Sequence, residues 1–130
     1  MKETQDDEAK AIAALFDRLS SSASYPFPQK REPLNAPKER GVYVIQDANG
    51  LVLHVGNTPR AKKGVHQRLK DHLSGRSSFA RLYLRGDTKK LRSSCFFRYL
   101  VVPNARQRAL LEAYTIGRLC PFHIGHSEIR

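Results

Sequence analysis

The chain has 130 residues, enough for one domain with a sizeable core and too few for two. Its 23 Lys and Arg against 12 Asp and Glu give a formal charge of +11, which points to a polyanionic partner. No apolar run of eighteen or more residues and no signal-like start is present, and Cys95 and Cys120 lack CxxC or metal-ligand spacing; the expectation is a cytoplasmic protein with no membrane association and no disulfide framework.

The charge is concentrated. From Leu51 to His126 there are fifteen Lys and Arg against three acids, a local surplus of twelve. A field of that size favours nucleic acid, whose phosphates would make binding salt-dependent.

Residues Thr4 to Leu19 read as an amphipathic helix, with Ile12, Leu15, Phe16 and Leu19 on one stripe and Thr4 followed by Asp7 as a capping box. The stripe packs either on the domain or on a second copy of itself, which would make a homodimer. Ser20 to Arg40 holds four prolines and no periodicity, so it is expected to be an extended strap. The organisation expected is therefore a helix and strap over residues 1–40, then one domain over 41–130.

Gly41 to Asp47 and Leu51 to Gly56 are β-rich runs joined through Ala48-Asn49-Gly50, a hairpin signal. An even-length loop, of two or four residues, puts Tyr43 and His54 on one face of the sheet, whereas an odd-length loop separates them. Gly64 to Leu73 reads as a helix with Val65, Leu69 and Leu73 inward, and Arg68 and His72 lie beside that stripe one turn apart. Ser77 to Leu84 predicts a short helix with Phe79, Leu82 and Tyr83 inward, and Arg85 to Ser94 a basic loop. Cys95 to Val102 is a third strand stopped by Pro103, and Asn104 is a suitable N-cap for a final helix, Ala105 to Leu119.

That last helix carries Glu112, the only charged residue between Arg108 and Arg118. A desolvated carboxylate must be protonated, paired with a cation or bound to a metal. Phosphodiester hydrolysis needs a water, a base and a means of spreading charge on the phosphorus oxygens, the last commonly a divalent metal and an arginine. Tyr43 would be the base or a water-positioning hydroxyl, Arg68 the phosphate clamp, His72 a proton donor or orienting group, and Glu112 the ligand of an Mg²⁺ ion that keeps most of its waters.

These residues occur in an order that resembles the GIY-YIG endonuclease superfamily. G-V-Y at Gly41 to Tyr43, V-G at Val55 to Gly56, R-L-K-D-H at Arg68 to His72, and E-A-Y-T-I-G-R-L-C-P at Glu112 to Pro121 follow that family's pattern over about two-thirds of the chain. The resemblance implies an α+β fold, a small three-stranded antiparallel sheet flanked by helices, and Mg²⁺-dependent cleavage of DNA, with Mn²⁺ as an alternative ion and RNA not excluded. It implies catalytic roles for Tyr43, Arg68 and His72, and a metal-binding role for Glu112. The chain departs from the pattern twice. His54 stands where the family has its second Tyr, and would hydrogen-bond or handle a proton in its place. The family Asn beyond Pro121 is missing; Ile124 occupies its position, beside His123. Arg60, Lys62 and Lys63 in the loop after Gly56, and Lys89, Lys90 and Arg92 further on, are expected to contact backbone phosphates. The alternative reading is a catalytically silent nucleic-acid-binding module that keeps the same fold.

Overall fold

The structure, a computed structural model, describes residues 4–125; residues 1–3 and 126–130, the outer ends of the two expected segments, lie outside the described residues. Helix α1 spans Gln5–Ser20 and begins with the expected box: Thr4 Oγ1 accepts from Asp7 N at 3.0 Å, and the Asp7 carboxylate accepts from Thr4 N. Strand β1 is Tyr25–Pro26, β2 Gly41–Asp47 and β3 Val52–Asn57, followed by helix α2 at Gly64–Leu73. A π-helical turn at Phe79–Tyr83 and helix α3 at Lys89–Ser94 lead to β4 at Cys95–Val101 and helix α4 at Ala105–Leu119.

The sheet is antiparallel with order β1-β4-β2-β3, so β2 is central and β3 lies at an edge. Its unbroken apolar run Gly41 to Ile45 is buried throughout, as a strand covered on both faces requires. On one face Tyr43, Ile45, Leu53 and Phe97 pack against Val65 and Leu69 of α2, Phe79 of the π turn and Leu91 of α3. On the other, Val42, Val44 and Val55 pack against Leu111 of α4 and against Ile12, Phe16 and Leu19 of α1. The stripe of α1 is thus covered by this chain's own sheet and α4, the first of its two expected alternatives.

Four strands stand where three were expected. The fourth comes from the strap, where Tyr25 and Pro26 pair with Phe97 and Phe96 along the outer edge of β4 and Phe27 is buried just beyond. Two further expectations change. The basic stretch before β4 is not all loop, because α3 turns Leu91 into the core. In the π turn, Leu84 N donates to Phe79 O, and the wider winding turns Ala80 and Leu84 inward while Leu82 and Tyr83 remain exposed.

The hairpin also differs from expectation in a way that preserves its result. Asp47 N donates to Leu51 O and Gly50, at φ 83°, closes a loop of odd length. The register then shifts between Ile45 and Gln46: Gln46 pairs with Val52 but Ile45 with His54, leaving Leu53 as an extra residue. The bulge restores the face that the loop would have reversed, and Tyr43 and His54 share the α2 side of the sheet.

Candidate functional site

The edge formed by the end of β3 is where the two helical layers meet. Tyr43 pairs with Gly56 across the β2–β3 ladder, and its ring lies over that glycine; a Cβ at position 56 would collide with Tyr43 Cζ and its hydroxyl. The missing side chain lets the phenol cross the edge strand. One residue on, Asn57 pairs with Val42 and therefore faces the opposite layer, where α4 packs. There its Nδ2 donates to Glu112 Oε1 at 3.1 Å. Thr58 Oγ1, accepting from Gly41 N at 2.9 Å, ties down the strand end.

Tyr43 is fully buried and its hydroxyl lies 2.7 Å from His72 Nε2. The other ring nitrogen, Nδ1, lies 2.6 Å from Ser77 Oγ, which also accepts from Ala80 N. In either tautomer Tyr43, His72 and Ser77 form one hydrogen-bonded line. Burial pushes the Tyr43 phenol well above its ordinary range; Arg68 opposes this by charge and hydrogen bonding, while Glu112 and Asp71 add to it. The phenol is therefore neutral at physiological pH, with a guanidinium and a carboxylate both close enough to bias it.

Arg68 is partly exposed and bonded to Asp71 at 3.2 Å. Arg68 and Glu112 face a common cleft of about 560 Å³, with Asn57, Arg60, Gln67 and Asp71 also in its wall. Glu112 is only half-buried, so the carboxylate that seemed stranded in an apolar helix instead opens onto this cleft. The expected residues Tyr43, Arg68, His72 and Glu112 thus gather at one edge.

His54 takes a different place. Its ring stacks on Phe79 at a centroid distance of 4.9 Å, and its Nδ1 lies 3.1 Å from Nδ1 of His123. The segment after α4 lies alongside β3, with His123 N donating to Leu53 O and Phe122 N to Val52 O, and it covers the edge strand. Burial, then the charge of His123, lowers the His54 pKa to about 3. His72 is driven well below its usual value, by burial first and then by His54, and burial also lowers His123. The three rings are neutral partners in an aromatic cluster behind Tyr43.

The expected phosphate contacts separate into groups. Arg60, Lys62 and Lys63 line a groove of about 800 Å³ that continues from the cleft, joined by Lys38, Lys70 and Arg76. Lys89 and Lys90 are exposed on α3, outside the walls of both. The guanidinium of Arg92 donates to Pro28 O at 2.7 Å and holds the strap. Arg98 and Arg108, counted in the basic surplus, likewise donate to main-chain carbonyls, of Ser20 and Ser22 and of Val102 and Pro103.

Asn57 is the residue that sequence reasoning missed. It opens the cationic loop after Gly56, and its position two residues before Pro59 carries no signal of a partner on α4. Among the described residues there is no cluster of three His, Cys, Asp or Glu able to hold a metal, so a cation here would rest on few protein ligands. Among those residues no helix is long and apolar enough to cross a membrane, and Cys95 and Cys120 are both free thiols.

No family model matches the chain. It is 27% identical over 92 residues to UvrABC system protein C of Rickettsia rickettsii and, to the same degree, of Rickettsia africae; the match covers 71% of this chain and 13% of those proteins. Among solved structures it resembles the GIY-YIG N-terminal endonuclease domain of UvrC from Thermotoga maritima bound to its catalytic divalent cation, magnesium. The TM-score is 0.50 at 25% identity, covering 68% of this chain and 85% of that one. A point mutant of the same domain superposes with a TM-score of 0.52 at 24% identity, over 71% and 89% of the two chains. The ordered G-V-Y, V-G, Arg-x-x-x-His and Glu elements, the antiparallel sheet between two helical layers and these likenesses place the chain in the GIY-YIG endonuclease superfamily.

Proposed function

We propose that the chain is a metal-dependent endonuclease that hydrolyses phosphodiester bonds in DNA. The observation that carries this reading is that Arg68 and Glu112, from two separate helices, line one cleft that continues into a basic groove, with the buried Tyr43 hydroxyl behind them and close enough to feel both charges. UvrC, to which 71% of the chain is similar, supports the class of reaction; because the chain spans only 13% of that protein's length, DNA as substrate is part of the proposal.

In this reading the groove holds the phosphate backbone, and Arg68 reaches a non-bridging oxygen of the scissile phosphate, where its fixed charge counts most as negative charge develops. The Tyr43 hydroxyl, held in place by Nε2 of His72, orients the attacking water, whose proton leaves to solvent through the open cleft. The donor set fits a hard divalent cation: a carboxylate facing the cleft, and beside it Asn57 Oδ1, buried and with no hydrogen-bond partner among the described residues. Such an ion, Mg²⁺ or Mn²⁺, would supply Lewis-acid stabilisation of the phosphate oxygens and of the leaving group.

Nicking of supercoiled plasmid in Mg²⁺, with EDTA and Glu112→Ala as controls, tests the proposal. Cleavage by wild type that both controls abolish is expected; equal cleavage by wild type and Glu112→Ala overturns it. A specific observation favours a second reading, a silent nucleic-acid-binding module: His54 is sealed between Phe79 and His123 and offers no group to the cleft. Salt-dependent DNA binding with no cleavage in Mg²⁺ or Mn²⁺ would select it.

A further inference from the structure

The side-chain amide of Asn57 is used at only one end. Its Nδ2 donates to Glu112 Oε1, while Oδ1 is shielded from solvent and no donor among the described residues reaches it, although Arg60 and Arg68 line the same cleft. Buried carbonyl oxygens are almost always satisfied, so an orphan beside a carboxylate calls for a partner of positive charge. The backbone leaves the residue little freedom to turn away, with Asn57 in the ladder against Val42 and Thr58 bonded to Gly41 N. Glu112 in turn comes from the third turn of α4, a helix packed along this face of the sheet. The pair is held from both sides.

We propose that Asn57 is the second oxygen donor of the Glu112 cation site. Its amide N–H fixes the carboxylate in one orientation, and its carbonyl Oδ1 enters the shell of the same divalent cation. A hard cation accepts amide and carboxylate oxygens together, and one carboxylate plus one neutral oxygen leaves the remaining positions to water and phosphate. This rests on the cation-site reading of Glu112 given above.

The test is Mn²⁺ binding, followed by electron paramagnetic resonance of the free ion, on the full chain at pH 8 without DNA, so that the readout is independent of cleavage. Wild type, Asn57→Ala, Asn57→Asp and Glu112→Gln are compared, each checked for folding by circular dichroism. Asn57→Ala is expected to weaken binding by about tenfold or more. Asn57→Asp, which places a charged oxygen where Oδ1 was, is expected to bind at least as tightly as wild type. Normal affinity in Asn57→Ala, with binding lost in Glu112→Gln, overturns the role of Asn57 and leaves the Glu112 site standing. Should Asn57→Ala fail to fold, Asn57→Asp decides alone, and weaker binding than wild type refutes the second donor. If wild type binds no Mn²⁺, or Glu112→Gln binds it unchanged, both the inference and the cation site fall.

Discussion

The hydroxyl of Tyr43 and Nε2 of His72 lie 2.7 Å apart in a space closed to solvent, and each is the other's hydrogen-bond partner. Because Nδ1 of His72 is bonded to Ser77, the ring cannot rotate without breaking one of its two bonds. The phenol is thereby aimed past Gly56 toward Arg68 and the Glu112 side of the edge.

Tyr43→Phe keeps the ring and removes the oxygen. It leaves Nε2 of His72 buried and unpaired, at a cost of about 1–3 kcal/mol in stability. Cleavage is expected to fall by about a hundredfold, the usual size of the loss when the attacking group is misplaced. Thermal melting and plasmid nicking measured on the same preparation check both effects. Retained activity would remove Tyr43 from the chemistry.

Gly56→Ala tests the crossing of the edge strand. The added Cβ meets Tyr43 Cζ and its hydroxyl, groups that are themselves packed and bonded, so neither retreats freely. Overpacking of this kind costs about 1–3 kcal/mol. Cleavage should fall much further than the change in folded fraction accounts for, because the phenol is displaced. A nicking rate that follows only the folded fraction in a denaturant titration would show that the ring position is immaterial.

The buried histidines make stability acid-sensitive. His54, His72 and His123 all have lowered pKa values in the folded chain, His54 at about 3, against 6.5 for an exposed imidazole. Below pH 6.5 the unfolded chain takes up protons that the folded chain refuses, so stability is full above that value and declines as pH falls toward about 3. The melting temperature should drop steadily between pH 6.5 and 4. In His54→Phe, which keeps the stacking on Phe79, the drop should be shallower. An equal slope in the two proteins would count against His54 as a source of the effect.

Much of this architecture was legible because local chemistry and tertiary packing agree. The capping box at Thr4 and Asp7, the Asn104 cap and the stripes of α1 and α2 each specify a helix before any partner is known. What was hidden depended on neighbours. Tyr25–Pro26 is too short to carry a pattern and is a strand only because β4 offers a free edge. Helix α3 has five polar residues of six and only Leu91 to bury. Leu82 and Tyr83 point outward because the π winding breaks the 3.6-residue period on which their assignment relied. At the site, Tyr43, Arg68, His72 and Glu112 followed from order and spacing. Asn57 did not, since its contact joins a strand end to a helix 55 residues away. The tether of His54 to His123 spans 69 residues and was equally invisible.

The basic surplus makes the same point about counting, and it yields a comparison of two cations. Lys63 lines the groove and is exposed, whereas the guanidinium of Arg92 is bonded to Pro28 O. If the groove carries the phosphate backbone, Lys63→Ala should weaken DNA binding alike for all sequences and reduce the slope of log affinity against log salt by about 1. Lys70→Ala and Arg76→Ala, in the same wall, should do likewise. Arg92→Ala should leave the slope unchanged and instead lower the melting temperature by loosening the strap, since a carbonyl loses its charged donor. Fluorescence anisotropy over a salt series, run beside thermal melting, separates the two effects. A slope that shifts with Arg92 and not with Lys63 would move the nucleic acid off the α2 groove and onto the α3 side of the protein.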